Sequence, residues 1–277
     1  MKDEFLTSDG IKIEYEYNCQ KNDDLDGETV AIVFLNGIFM HYESWKILSK
    51  GIPQNIPVLF HNFRCQWGSG CAEDKECSFE RHVEDLKELL DYLGIKKAKF
   101  IGTSYGGEVG MLFGATYPEY VEAMMIITST ARVDKVMESK VLRWKDGAKS
   151  RNSEIFVNSW LTDVYSEGYI NSINNLSQII ASRLTGFNYE GAVRLLNVFL
   201  RLNDLNLLEK VKNFEFPVLI ISAEEDNIKP KKFSEEIYRQ LKNALHLTIP
   251  NSGHAVVVEK PKEIGYLIST FVRNWKL

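Results

Sequence analysis

The chain has 277 residues, 44% hydrophobic and 26% charged, an ordinary soluble globular composition with enough length to bury a full core. Its net charge of −5 and the lack of any basic run argue against a generic nucleic-acid binder. No stretch approaches the ~18 continuous apolar residues of a membrane span, and Met1-Lys2-Asp3-Glu4 opens without an apolar signal core, so a cytoplasmic protein is expected.

Residues 11–17 alternate apolar and polar with period two and predict a half-exposed edge strand. Residues 22–27 read as a polar, acidic turn. Residues 29–35 form a continuous apolar run of β-branched character, the mark of a strand covered on both faces. Val58-Leu59-Phe60, after Pro57, repeats it in weaker form. Residues 79–93 carry Val83, Leu86, Leu89, Leu90 and Leu93 on a helical stripe that Gly94 ends. Residues 98–101 predict a strand, 109–117 a helix closed by Pro118, and 121–127 another buried strand. The last two strands are 217–222 and 244–249, with 233–241 helical between them, and 264–275 closes as a helix.

Strands alternating with helices imply an α/β fold, a mostly parallel sheet with helices on both faces. One stretch breaks the rhythm. Residues 131–209 hold no credible strand, are rich in Asn, and show two helical stripes. Ile173, Leu176, Ile180 and Leu184 make the first; Val193, Leu196, Phe199 and Leu200 make the second. We read this segment as a helical cap inserted into a core built from 1–130 and 210–277. It would cover the carboxyl ends of the strands, where open α/β sheets bind ligands. The plainer reading is a bundle that only completes the core.

Between the strand at 98–101 and the helix from Val109 runs Gly102-Thr103-Ser104-Tyr105-Gly106-Gly107. A Gly-x-Ser-x-Gly at a strand-to-helix junction forces a tight turn that exposes the serine hydroxyl. At typical composition the pattern arises by chance in roughly one chain in ten, so its placement and its partners carry the argument. Gly102 and Gly106 flank the turn because a Cβ on either would collide with the crossing elements.

A serine needs a base, and the base needs an acid to fix its tautomer. Of the five histidines, His82 starts an amphipathic helix and reads as a surface residue. His246 alternates with apolar neighbours inside a strand and reads as packed or at an edge. His61 at a strand end and His41 after a glycine turn could approach a site. His254 alone hangs from a loop after the last strand, behind Gly253, and is the candidate base. In Ala223-Glu224-Glu225-Asp226, after another buried strand, Asp226 is the favoured acid and Glu225 the runner-up. Tyr105 N–H at the helix start and Ile38 N–H after Asn36-Gly37 are the candidate oxyanion donors. The plainer reading of Asn36-Gly37 is an ordinary tight turn.

Cys65, Cys71 and Cys77 recur every sixth residue through a loop. Structural zinc uses ligand pairs two to four apart, with a matching pair elsewhere, and none is present. Without an export signal a disulfide is not expected either. Coincidence or loop packing is the reading, with no metal.

Together these positions resemble the α/β-hydrolase superfamily over essentially the whole chain. The elbow around Ser104, the loop Ala223-x-x-Asp226-x-x-x-Pro230 and Gly253-His254 with Glu259 and Pro261 are each similar to a family motif, in the family's chain order. The resemblance implies Ser104 as nucleophile, Asp226 as acid, His254 as base, and Ile38 and Tyr105 as oxyanion donors. A serine at the elbow disfavours the family's dehalogenase and epoxide-hydrolase chemistry, which uses aspartate. Two loops depart from the family: Asn36-Gly37 stands where His-Gly is common, and Arg64-Cys65-Gln66-Trp67-Gly68-Ser69 replaces Arg-Gly-x-Gly-x-Ser.

The expected activity is hydrolysis of a carboxylic ester or thioester of a small to medium apolar acyl group. It needs no cofactor. Phe156, Trp160, Tyr165, Phe187 and Phe199 suggest an apolar cleft, although such residues are more often cap core. An acyltransferase acting on hydroxyacyl thioesters, or a ligand-binding receptor without turnover, are the alternatives.

Overall fold

Eight strands lie in one sheet, in the order β1-β2-β4-β3-β5-β6-β7-β8. They are β1 (Lys2–Leu6), β2 (Lys12–Tyr17), β3 (Ala31–Leu35), β4 (Val58–His61), β5 (Ala98–Thr103), β6 (Val121–Ile127), β7 (Val218–Ala223) and β8 (Ala244–Ile249). This computed structural model describes residues 2–19 and 29–274. The turn expected at 22–27 lies outside the described residues, as does Trp275. From β4 to β8 all pairings are parallel, while β1 and β2 add on antiparallel.

The central strands are apolar throughout because both faces are covered. In β3, Ala31, Val33 and Leu35 enter one core, and Ile32 and Phe34 the other. The first core takes α1 (Phe79–Tyr92) and α2 (Tyr105–Thr116). The second takes the closing helix, here 261–274, through Ile264, Ile268 and Phe271. Helix α2 is buried from Tyr105 to Gly114, so it shows no polar face.

Between β6 and β7 the chain forms α3 (Lys135–Lys149), α4 (Ser153–Val164), α5 (Glu167–Ser172), α6 (Leu176–Ser182), α7 (Tyr189–Leu200) and α8 (Leu207–Val211). The asparagines of this stretch have local work. Asn152 and Asn188 cap α4 and α7 by accepting first-turn N–H groups, and Asn175 and Asn206 adopt left-handed turns that asparagine tolerates. After β7 come α9 (Lys231–Tyr238), then β8, α10 (Val256–Glu259) and α11 (Pro261–Asn274).

Three expectations are corrected. The strand at 12–17 is not an edge, because β1 pairs along it with Lys2 opposite Glu16 and Leu6 opposite Lys12. Charged and mostly exposed, β1 carries no apolar rhythm to read, and its charges suit an edge. His82 is fully buried rather than on the surface. It shares the inward stripe of α1 with Leu86 and Leu89, and its ring lies 5.2 Å from Phe63 and 5.6 Å from Tyr105. Finally, Cys65 and Cys71 form a disulfide, with Cα atoms 4.4 Å apart. Cys65 has φ 68°, and its N–H bonds Gly70 O at 2.9 Å, so the loop folds back on itself in a way that sequence spacing does not reveal.

Candidate active site

Strand β5 ends at Thr103, α2 begins at Tyr105, and Ser104 alone makes the turn between them. Its backbone sits at φ 52° and ψ −120°, a region costing a non-glycine residue on the order of 1–3 kcal/mol. Neighbours hold it there. Ser104 N–H donates to Ile127 O at 2.8 Å, and Ser129 Oγ donates to Ser104 O at 2.9 Å. A Cβ on Gly102 would stand 2.6 Å from Gly106 O, and one on Gly106 would strike the Leu35 carbonyl. These two glycines let α2 pass close over β3 and β5.

Asp226 follows the end of β7 by three residues, and His254 lies in the loop after β8. Asp226 Oδ1 accepts the N–H groups of Ile228 at 2.9 Å and Lys229 at 2.7 Å, which leaves Oδ2 to meet His254 Nδ1 at 2.8 Å. His254 Nε2 stands 2.9 Å from Ser104 Oγ. Of the three neighbouring carboxylates, Asp226 is the one bonded to the ring; Glu224 instead accepts the Asn251 N–H at 2.8 Å. An ionised carboxylate only accepts, so Nδ1 carries the ring proton and Nε2 can accept from the serine hydroxyl. Such a relay can remove the hydroxyl proton as the oxygen attacks carbon.

Ile38 and Ser104 line the same cavity. Gln66 Nε2 donates to Gly37 O at 2.9 Å and to Ile38 O at 3.2 Å. In a planar trans peptide the Gly37 carbonyl and the Ile38 N–H point opposite ways, so Gln66 turns that N–H away from itself. Asn36 anchors the loop from beneath. Fully buried, it donates to His61 O at 2.9 Å and accepts from Trp45 Nε1 at 2.9 Å. Tyr105 is the first residue of α2, so its N–H has no helical carbonyl to bond. Both departures from the family loops thus support one structure, with Asn36 and Gln66 bonded at 3.3 Å.

Of the histidines, only His254 bonds Ser104. His41 lines the cavity, but its Nδ1 is occupied by the Glu43 N–H at 3.1 Å. Burial pushes His61 down to about 4, and His246 Nε2 pairs with Ser222 Oγ at 2.9 Å. Among the described residues no group of three or more His, Cys, Asp and Glu could hold a metal ion. No described helix is long and apolar enough to cross a membrane.

Sequence reasoning missed one pair. Lys229 Nζ lies 3.1 Å from Ser104 Oγ and bonds both carboxylate oxygens of Glu108, at 2.9 and 3.0 Å. Glu108 also accepts the Thr130 N–H at 2.9 Å. Burial pushes the Glu108 carboxyl up to about 7, against the pull of Lys229. The available signal was a lone acid in the otherwise apolar run of α2, which must find a partner when buried.

A cavity of about 680 Å³ opens onto Ser104 and His254. Phe39, Trp144, Phe156, Trp160, Tyr165 and Leu184 supply much of its wall. Phe187 does not reach the cavity but packs behind it, 5.3 Å from Phe156 and 5.2 Å from Trp67. Phe199 is not part of the cavity wall either; it lines a smaller pocket that also touches Ser104, its ring 4.9 Å from Lys229 Nζ. The cavity therefore draws on α3, α4 and α6 as well as on the strand ends.

A family model described as "alpha/beta hydrolase fold" matches residues 30–261. A Bacillus subtilis protein named "Putative 2-succinyl-6-hydroxy-2,4-cyclohexadiene-1-carboxylate synthase" is 26% identical over 88% of this chain and 90% of its own length. Human "Monoacylglycerol lipase ABHD6" is 19% identical over 96% of this chain and 83% of its own. Among solved structures, MGS-M2, an alpha/beta hydrolase enzyme from a Medee basin deep-sea metagenome library, superposes with a TM-score of 0.89 and 26% identity. That match covers 99% of this chain and 98% of MGS-M2.

Proposed function

The chain belongs to the α/β-hydrolase fold family, and on that premise we propose that it is a serine hydrolase cleaving a carboxylic ester or thioester of a small to medium apolar acyl group. One observation carries the reading: an unbroken relay of 2.9 and 2.8 Å contacts from Ser104 Oγ through His254 to Asp226, opening on an apolar cavity.

In this mechanism Ser104 Oγ bonds to the carbonyl carbon while its proton passes to His254 Nε2. The carbonyl oxygen takes the displaced electron pair and is met by the N–H groups of Ile38 and Tyr105, each worth roughly 3 kcal/mol in the transition state. Collapse expels the alcohol or thiol, which leaves with the proton from His254. Water then repeats the sequence on the acyl-enzyme and frees the acid. Asp226 keeps the ring in the tautomer that accepts from serine and stabilises the imidazolium.

Residues 131–209 act as the lid. Their aromatic walls exclude water and bind acyl carbon, and the cavity volume falls in the range of small-molecule sites, roughly 300–1,000 Å³. The esterase and lipase names among the relatives favour the same chemistry. The test is labelling with a fluorophosphonate probe followed by peptide mapping, then turnover of p-nitrophenyl esters and acyl-CoA thioesters. Modification at Ser104 with turnover of a short-chain ester is expected. A wild-type protein that binds such ligands yet neither labels nor turns over would instead be a receptor.

A further inference from the structure

A buried lysine lies beside the relay. Lys229 is 3% exposed and Glu108 wholly buried, and the two face each other at 2.9 Å. An ion pair in a core is a poor source of stability, since apolar residues of similar volume often replace it without loss. Its position points to a different use. Glu108, itself fixed by the Thr130 N–H, takes two directions of the Lys229 ammonium, and the Phe199 ring covers it at 4.9 Å. The remaining hydrogen bond goes to Ser104 Oγ at 3.1 Å.

We propose that Lys229 is a catalytic residue, a charged hydrogen-bond donor to the nucleophilic oxygen, and that Glu108 is the positioning residue that holds it there. The inference rests on Ser104 being the nucleophile. A serine hydroxyl has one proton and two lone pairs, and a lysine ammonium can only donate. Lys229 therefore takes a lone pair of Oγ, and the hydroxyl proton is directed at His254 Nε2, 2.9 Å away. The remaining lone pair is free to attack.

Lys229 transfers no proton at any step. As the proton leaves for His254, negative charge grows on Oγ and the bond from the ammonium strengthens, because charge-assisted hydrogen bonds are roughly twice as strong as neutral ones. The same oxygen regains negative charge when water displaces the acyl group, so Lys229 assists its departure as well. An interaction stronger in the transition state than in the ground state raises kcat rather than lowering KM.

Two variants test this in the full chain: Lys229→Met, and Lys229→Met with Glu108→Leu, which removes both charges together. Circular dichroism and melting report folding, and either variant that melts cooperatively decides the matter. Fluorophosphonate labelling at Ser104 and kcat for p-nitrophenyl butyrate should each fall by at least about tenfold, with KM within about twofold of wild type. A folded variant that labels and turns over like wild type overturns the role of Lys229 and leaves the serine hydrolase reading intact. A wild-type protein that does not label at Ser104 overturns both.

Discussion

The carboxylate of Glu259 clamps Ser166 to the histidine loop. Its Oε1 accepts the Ser166 N–H at 2.9 Å, and its Oε2 accepts Ser166 Oγ at 2.6 Å and the Gly253 N–H at 3.1 Å. One residue beyond Gly253, the ring of His254 meets Ser104, and Ala255 N–H bonds Val164 O at 2.9 Å. The start of α5 and the loop carrying His254 are therefore one mechanical unit.

Replacing Glu259 by Ala leaves the Gly253 and Ser166 donors unpaired, at about 1–3 kcal/mol for a buried group that loses its partner. The expected result is a lower melting temperature and a fall in kcat that exceeds any change in KM. Glu259→Gln, which keeps one acceptor oxygen, should fall between the two. A Glu259→Ala protein with wild-type kcat and melting would refute the clamp.

Asp226→Asn tests the tautomer argument. The amide oxygen can still accept from Ile228 and Lys229, so the loop should keep its shape. The amide NH₂ would then donate to His254 Nδ1, move the ring proton to Nε2, and leave the serine without an acceptor. A drop of about 10⁴-fold in kcat on a p-nitrophenyl ester is expected, with little change in stability. A loss smaller than tenfold would mean that Asp226 does not set the tautomer.

Gly106→Ala tests the close crossing of α2. The added methyl would strike the Leu35 carbonyl and lie 2.7 Å from Asn36 O, both backbone atoms that cannot swing aside. A loss of at least about 3 kcal/mol by urea unfolding is expected, with little soluble protein. Gly168→Ala, in α5 with nothing within 4 Å of the added carbon, is the control and should be neutral or slightly stabilising.

His82 makes a prediction about pH. Burial, with the charges of Arg64 and Arg81 adding to it, pushes its ring well below the ordinary histidine value of 6.5. The unfolded chain therefore binds a proton that the folded protein refuses. The stability from the neutral ring is present above pH 6.5 and is lost as pH falls below it. His82→Phe should flatten the dependence of unfolding free energy on pH below 6.5 by about 1.4 kcal/mol per unit. Glu108, whose carboxyl burial pushes up, acts in the opposite sense. The readout is thus the difference between variant and wild type, measured by urea titration at several pH values. Parallel curves would show that His82 does not titrate on unfolding.

Much of the fold was legible because it is written in local terms. Continuous apolar runs gave β3, β6 and β7, and the asparagine-rich break marked the stretch from α3 to α7. The tight turn at Ser104 announced itself through Gly102 and Gly106, and the loops bearing Asp226 and His254 each followed a readable strand end. β1 was not legible, since an exposed, charged edge strand buries too little to leave a pattern.

What the sequence determined by itself, then, was the order of elements and the loops that carry Ser104, Asp226 and His254. Backbone conformation and apolar periodicity depend on near neighbours along the chain. Only the tertiary structure decided that Lys229 reaches Glu108 across 121 positions, that Gln66 turns the Gly37–Ile38 peptide, and that Cys65 meets Cys71 rather than Cys77. Those contacts depend on how separate strand ends converge in space, and a charge or a thiol carries no local mark of the partner it will find there.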